Sequence, residues 1–175
     1  MSAAVLLLAV AVVVVTVASS AQGAAAAAVP RCRADELRLT DGAYGEAALQ
    51  FTQTLTFTDR ARASCWLAGW PRLSVPGRSR PVKTVRVVQG ASGSRPFTRV
   101  LLTASGAASF DLYGADWDAS ANRPCPQTAA LLVAPPGTQT ALRVRVRVPD
   151  CGRFYVAPLV AGRRDRAAWS LVWRG

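Results

Sequence analysis

Between Glu46 and Thr58 the chain reads EAALQFTQTLTFT. Ala47, Leu49, Phe51, Leu55 and Phe57 stand at odd positions, and threonine and glutamine fill most of the rest. Successive side chains of an extended strand point to opposite faces, so a period of two gives a half-buried strand with one apolar side. Such a strand cannot stand alone. It needs neighbours in a sheet and a second layer to cover the apolar face.

The remaining sequence supplies those neighbours. RADELRLT places Leu37 and Leu39 two apart and runs into Asp41-Gly42, a turn dipeptide, so it predicts an antiparallel partner joined to Glu46–Thr58 by a short loop around Tyr44. Further short strands are predicted at Leu73 to Val75, Val82 to Val88, Thr98 to Ala104, Ala107 to Tyr113, Gln127 to Val133, Leu142 to Val148, Phe154 to Ala157 and Trp169 to Trp173. Turn signals separate them: Pro76-Gly77, Ser105-Gly106, Pro135-Pro136-Gly137 and Pro149 to Gly152. Gly90 to Pro96 and Gly114 to Pro126 read as loops. The strands recur every eight to twelve residues or so, and no segment past the amino-terminal region has a helical period. This predicts an all-β, two-sheet antiparallel β-sandwich of immunoglobulin-like type. A closed β-barrel is the alternative.

Residues 1–28 are expected to be a signal peptide and small-residue leader. The apolar run Ala3 to Val17 is followed by small residues, which is the pattern of a secretory signal. The run has about fifteen residues, short of the roughly twenty that a helix needs to cross a bilayer. Cleavage is expected near Ala21, giving an exported single domain over 29–175, and an uncleaved amino-terminal anchor is the alternative. No cysteine near the cleavage region is placed to carry a lipid.

Export changes how the cysteines are read. Cys32, Cys65, Cys125 and Cys151 are an even set in an oxidising compartment, which predicts two disulfides. Of three possible pairings, Cys32 with Cys65 and Cys125 with Cys151 join neighbouring segments through loops of moderate length. In the chain-entropy model each such loop contributes about 3.5 to 4 kcal/mol. A metal site is the competing reading. It is disfavoured because there is no C-x-x-C and no histidine.

The absence of histidine also removes every Ser-His and Cys-His nucleophile and every histidine metal triad. Lys83 is the only lysine, sits in a predicted strand, and reads as solvated. No G-x-S-x-G, phosphate-cradling glycine loop or dinucleotide fingerprint occurs. Paired carboxylates remain, and Asp111, Asp116 and Asp118 are their one cluster. Asp116-Trp117-Asp118 has the composition of a calcium or sugar site, but turn hydrogen bonds explain the same residues more simply. The expectation is a non-enzymatic protein with no cofactor and no metal.

The segment Cys65-Trp66-Leu67-Ala68-Gly69-Trp70-Pro71 lies about thirty residues after Cys32. It resembles the C-x-L-x-G-aromatic-P signature of a family of exported actinobacterial domains, domain of unknown function 4232. The later order is similar too, with Ser105-Gly106, Trp117, Cys125, the Pro-Pro-Gly and Cys151 before a strand ending in Ala157-Pro158. The resemblance implies a secreted or lipid-anchored sandwich with no established catalytic residues to carry over. It implies that the four cysteines are the family's disulfides, and that Trp66, Leu67, Gly69, Trp70 and Pro71 are structural. Trp66 is expected to pack into the core beside the disulfide, and Trp169 and Trp173 in a terminal strand.

Charge is the individual feature. The chain carries 21 basic and 10 acidic residues, a net +11, which favours polyanions in general. LRVRVRVP at Leu142 to Pro149 places Arg143, Arg145 and Arg147 on one face of a strand and the valines on the other. Such a row keeps a sheet soluble and blocks edge pairing. The functional expectation is a binding or structural domain of the cell envelope that contacts anionic wall polymer or lipid head groups through these arginines. Attachment to an envelope protein, or a purely structural role, is the alternative. Nucleic acid is disfavoured by the compartment, although Trp66, Trp70 and Trp117 could stack bases.

Overall fold

The structure is a computed structural model and describes residues 28–78, 83–86 and 99–164. Among the described residues, fifteen strands follow a 3-10 turn at Ala34–Glu36. They are β1 (Leu37–Ala47), β2 (Gln50–Asp59), β3 (Cys65–Leu67), β4 (Arg72–Ser74), β5 (Lys83–Arg86), β6 (Val100–Leu102), β7 (Ala107–Ala115) and β8 (Trp117–Asp118). Then come β9 (Arg123–Pro124), β10 (Gln127–Thr128), β11 (Leu131–Ala134), β12 (Leu142–Val144), β13 (Val148–Pro149), β14 (Arg153–Val156) and β15 (Val160–Ala161). The large sheet has the order β1-β2-β7-β14-β5, with β15 also on β7. The smaller groupings are β12-β11-β4, β3-β6, β10-β13 and β8-β9. The fold is all-β and sandwich-like, and no closed barrel forms among the described residues.

One pair departs from the expected antiparallel order: β14 and β5 run parallel, with Arg153 opposite Lys83 and Val156 opposite Arg86. These strands are far apart in sequence, so no hairpin dictates their relative direction.

The core lies where the large sheet meets the smaller groupings. Phe51, Leu55 and Phe57 of β2, Phe110 and Leu112 of β7, and Phe154 and Val156 of β14 are fully buried. They share one cluster with Leu67, Leu102, Leu131, Val133, Val144, Val146 and Val148. Phe51 meets Phe154 edge to face at 6.2 Å, and Phe57 stacks on Phe110 at 5.7 Å. Each such ring stabilises the fold by about 1.5 to 3 kcal/mol through burial.

The first hairpin corrects the sequence in three places. Asp41-Gly42 is not a turn, because β1 runs through it and Asp41 to Tyr44 stand opposite Leu55 to Gln53, one residue more on β1 than on β2. This is a β-bulge. The buried Gln53 amide holds it by donating to the carbonyls of Gly42 at 3.1 Å and Thr54 at 2.8 Å. Tyr44 therefore lies within the strand and not in a loop. The reversal comes at Ala48 and Leu49, with φ of 49° and 61°, the left-handed values that a two-residue hairpin of this twist requires. Leu49 is consequently at the tip and 61% exposed, not in the core.

The second difference is that β2 is buried on both faces. Thr52, Thr54 and Thr56 are as inaccessible as the phenylalanines. Two of these hydroxyls are satisfied across the sheet: Thr54 Oγ1 donates to Asp111 at 2.7 Å, and Thr56 and Ser109 share a hydrogen bond at 2.9 Å. Ser109 donates onward to the Gly162 carbonyl at 2.7 Å, which ties in the chain after β15.

Both expected disulfides are formed, Cys32 to Cys65 and Cys125 to Cys151, with Cα separations of 4.8 and 5.2 Å. Thr98 to Ala104 contains β6, and Val82 to Val88 contains β5. The leader, the Gly90 to Pro96 loop and the Trp169 to Trp173 strand lie outside the described residues.

Candidate anion-binding surface

The arginine row keeps its alternation but not its length as a strand. β12 ends at Val144 and β13 begins at Val148, so Arg145 to Arg147 lie outside the ladder. Val144, Val146 and Val148 are nevertheless all buried, and Arg143, Arg145 and Arg147 all exposed. Burial of the valines enforces the alternation where hydrogen bonding does not. Arg143 stands opposite Leu132 of β11, which stands opposite Ser74 of β4. Neither residue aligned with Arg143 on those strands is a cation. Arg72 of β4 is engaged: its Nη2 donates to the Thr138 carbonyl at 2.6 Å and to Gln139 at 2.8 Å. Among the described residues, Arg143, Arg145 and Arg147 have no carboxylate partner.

A second cationic group is one that the sequence reading missed. The backbone of Trp66 on β3 forms a parallel bridge with Arg31: the Cys32 N–H donates to the Trp66 carbonyl and the Trp66 N–H to the Pro30 carbonyl, both at 3.0 Å. Trp66 is half-buried and not a core residue. The guanidinium carbon of Arg31 sits 4.4 Å from the centre of its ring, and that of Arg99 4.3 Å. With two of the chain's own cations over it, the indole is no free platform for a base or sugar. Arg31 also borders an open groove of about 520 Å³ lined by Arg31, Arg33, Asp35, Gly137, Thr138 and Thr140. The signal that could have found this group is the Val-Pro-Arg before Cys32 together with the Trp after Cys65, since a disulfide between those cysteines brings their neighbours side by side.

The other motif residues run from the end of β3 to the start of β4. Leu67 is completely buried and Pro71 is buried. Gly69 has φ of 104°, and its carbonyl accepts from Leu159 at 3.1 Å. Trp70 packs against the edge of the core, with Arg86 5.4 Å from its ring. Trp117 is half-buried in β8, and Lys83 is exposed in β5.

The three aspartates have different partners. Asp111 is wholly buried on β7, where it accepts from Thr54 and from Arg164 Nη1 at 2.5 Å, with the Tyr113 hydroxyl at 3.4 Å. Burial and the Asp111 charge push the Tyr113 phenol well above its usual range, with Arg164 opposing. Asp118 caps a turn, accepting from Ser120 Oγ at 2.6 Å and the Ala121 N–H at 3.2 Å. The Ser120 bond, then that from Ala121, hold its carboxyl below the ordinary range. The Tyr44 phenol is raised by burial, then by its hydrogen bond with Glu46 and the Glu46 charge, and last by the charge of Asp116. Among the described residues no group of three His, Cys, Asp or Glu side chains is placed to hold a metal.

Two disulfides suit an oxidising, extracellular setting, and no helix among the described residues is long and apolar enough to cross a membrane. No curated protein and no solved structure matches the chain. The family model described as domain of unknown function (DUF4232) matches residues 32–160, from the first bridged cysteine into β15. That span is most of the sequence, and the chain belongs to this family of domains of unknown function.

Proposed function

We propose that the chain is an exported, non-enzymatic domain of an actinobacterial cell envelope that holds anionic wall polymer or lipid head groups through Arg143, Arg145 and Arg147. The observation that carries this reading is the exposure of all three arginines along a segment whose valines anchor the core, with no carboxylate partner among the described residues. A polyanion would neutralise them together, and the net charge of +11 would attract it over a distance set by ionic strength. Charge rather than apolar contact is favoured because the exposed large hydrophobic residues, Val29, Tyr44, Leu49, Leu101 and Tyr155, are scattered over different elements. Co-sedimentation with vesicles rich in anionic lipid and with purified wall polymer, at low salt, tests the reading. Binding by the wild type and its loss when the three arginines become glutamine are expected. Undetectable binding, or binding unchanged by the substitutions, would overturn it.

A further inference from the structure

We infer that Arg31, braced on Trp66, forms a discrete oxyanion site in the groove between residues 31–35 and 137–140, separate from the arginine row. The site would take one phosphate or carboxylate group carried on a unit about the size of a sugar.

The first argument is the state of the two guanidiniums. Both lie over one indole, at 4.4 and 4.3 Å. A guanidinium stacked on an aromatic face keeps its donors in its own plane, free to form the paired hydrogen bonds that match an oxyanion. Among the described residues neither Arg31 nor Arg99 is bonded to a carboxylate. Arg33, in the same groove, is different: its guanidinium pairs with Asp35 at 3.0 and 3.2 Å and is already neutralised. The groove therefore holds one balanced pair and one uncompensated cation.

The second argument is preorganisation. Arginine ordinarily loses much side-chain freedom on binding. Here Arg31 is held by the backbone bridge to Trp66 and by the disulfide between the adjacent Cys32 and Cys65. It is also packed against Gly137, whose φ is 79°; a Cβ built there would fall 1.5 Å from Arg31 Nη1. The turn Pro135-Pro136-Gly137 thus makes room for this one guanidinium. The groove's 520 Å³ lies within the range of small-ligand sites, and Thr138 and Thr140 add polar groups to its wall.

The test is calorimetric titration of the purified protein with inorganic phosphate and, separately, with acetate, at low salt. Saturable binding of at least one is expected, and the tighter of the two names the group. Arg31→Gln should weaken it about tenfold, as loss of a charge-assisted bond implies. Gly137→Ala should weaken it by displacing Arg31. The triple change of Arg143, Arg145 and Arg147 to Gln should leave it within about twofold, which separates this site from the envelope reading. Far-UV circular dichroism checks that each variant is folded, and if Arg31→Gln is not, Gly137→Ala decides. No saturable binding of either ion, wild-type binding by the folded Arg31→Gln or Gly137→Ala variant, or loss in the triple variant would overturn the proposal.

Discussion

The Arg31 guanidinium lies 4.4 Å from the Trp66 ring because each residue adjoins one half of the Cys32–Cys65 bridge. Replacing both cysteines by serine should therefore act on stability and site together. Loss of this 33-residue link predicts about 3 to 4 kcal/mol of destabilisation, read as a lower urea midpoint with a steeper slope, because the unfolded chain is less constrained. A midpoint equal to the wild type would show that the bridge constrains nothing.

Asp111 and Arg164 differ in exposure, with side chains 0% and 27% accessible at the 2.5 Å contact. Removing Arg164 leaves a buried carboxylate without its cation, whereas removing the charge of Asp111 leaves an arginine that can reach water. Arg164→Ala should thus cost about 3 kcal/mol and Asp111→Asn no more than about half of that. Chemical denaturation measures both, and the reverse order would contradict the assignment.

Alkaline pH should act through Tyr113. Its phenol is raised in the folded protein, first by burial and then by Asp111, so the folded state keeps its proton where the unfolded chain releases it. The associated stability is complete below the ordinary tyrosine value near 10 and is lost as pH rises beyond it. Melting temperatures from pH 8 to 11 should fall less steeply in Tyr113→Phe than in the wild type. Parallel curves would count against this account.

Gly114 stands opposite Phe51 on the inner face of the large sheet, and a Cβ there would fall 2.5 Å from Phe51 Cε1. Gly114→Ala should destabilise by about 1 to 3 kcal/mol through overpacking. Adding Phe51→Leu should recover part of that loss in a double-mutant cycle, while strict additivity would show that the two residues do not compete for space.

How far the sequence could be read depended on where each signal came from. Alternation of Phe51, Leu55 and Phe57 reflects burial, so it marked the core, and the valines of LRVRVRVP kept the three arginines outward even where the ladder stops. The cysteine pairing was legible because loop length limits the choice. The reversal at Ala48-Leu49 was not, since neither residue announces a left-handed turn and Asp41-Gly42 announces one that Gln53 converts into a bulge. The buried outer face of β2 was hidden for a related reason: threonines that look solvated are satisfied by Asp111, Ser109 and the chain near Gly162, all distant in sequence. The same distance separates Arg31, Trp66 and Arg99, which only folding brings together.

The central claim is that exposed, unneutralised arginines at 143, 145 and 147 bind a polyanion. Its most direct measurement is the salt dependence of affinity for anionic vesicles, compared between the wild type and the variant with all three as glutamine. Counterion release predicts a steep fall in wild-type affinity with rising salt, and a variant that binds more weakly with a distinctly shallower slope. Identical slopes in the two proteins would contradict it.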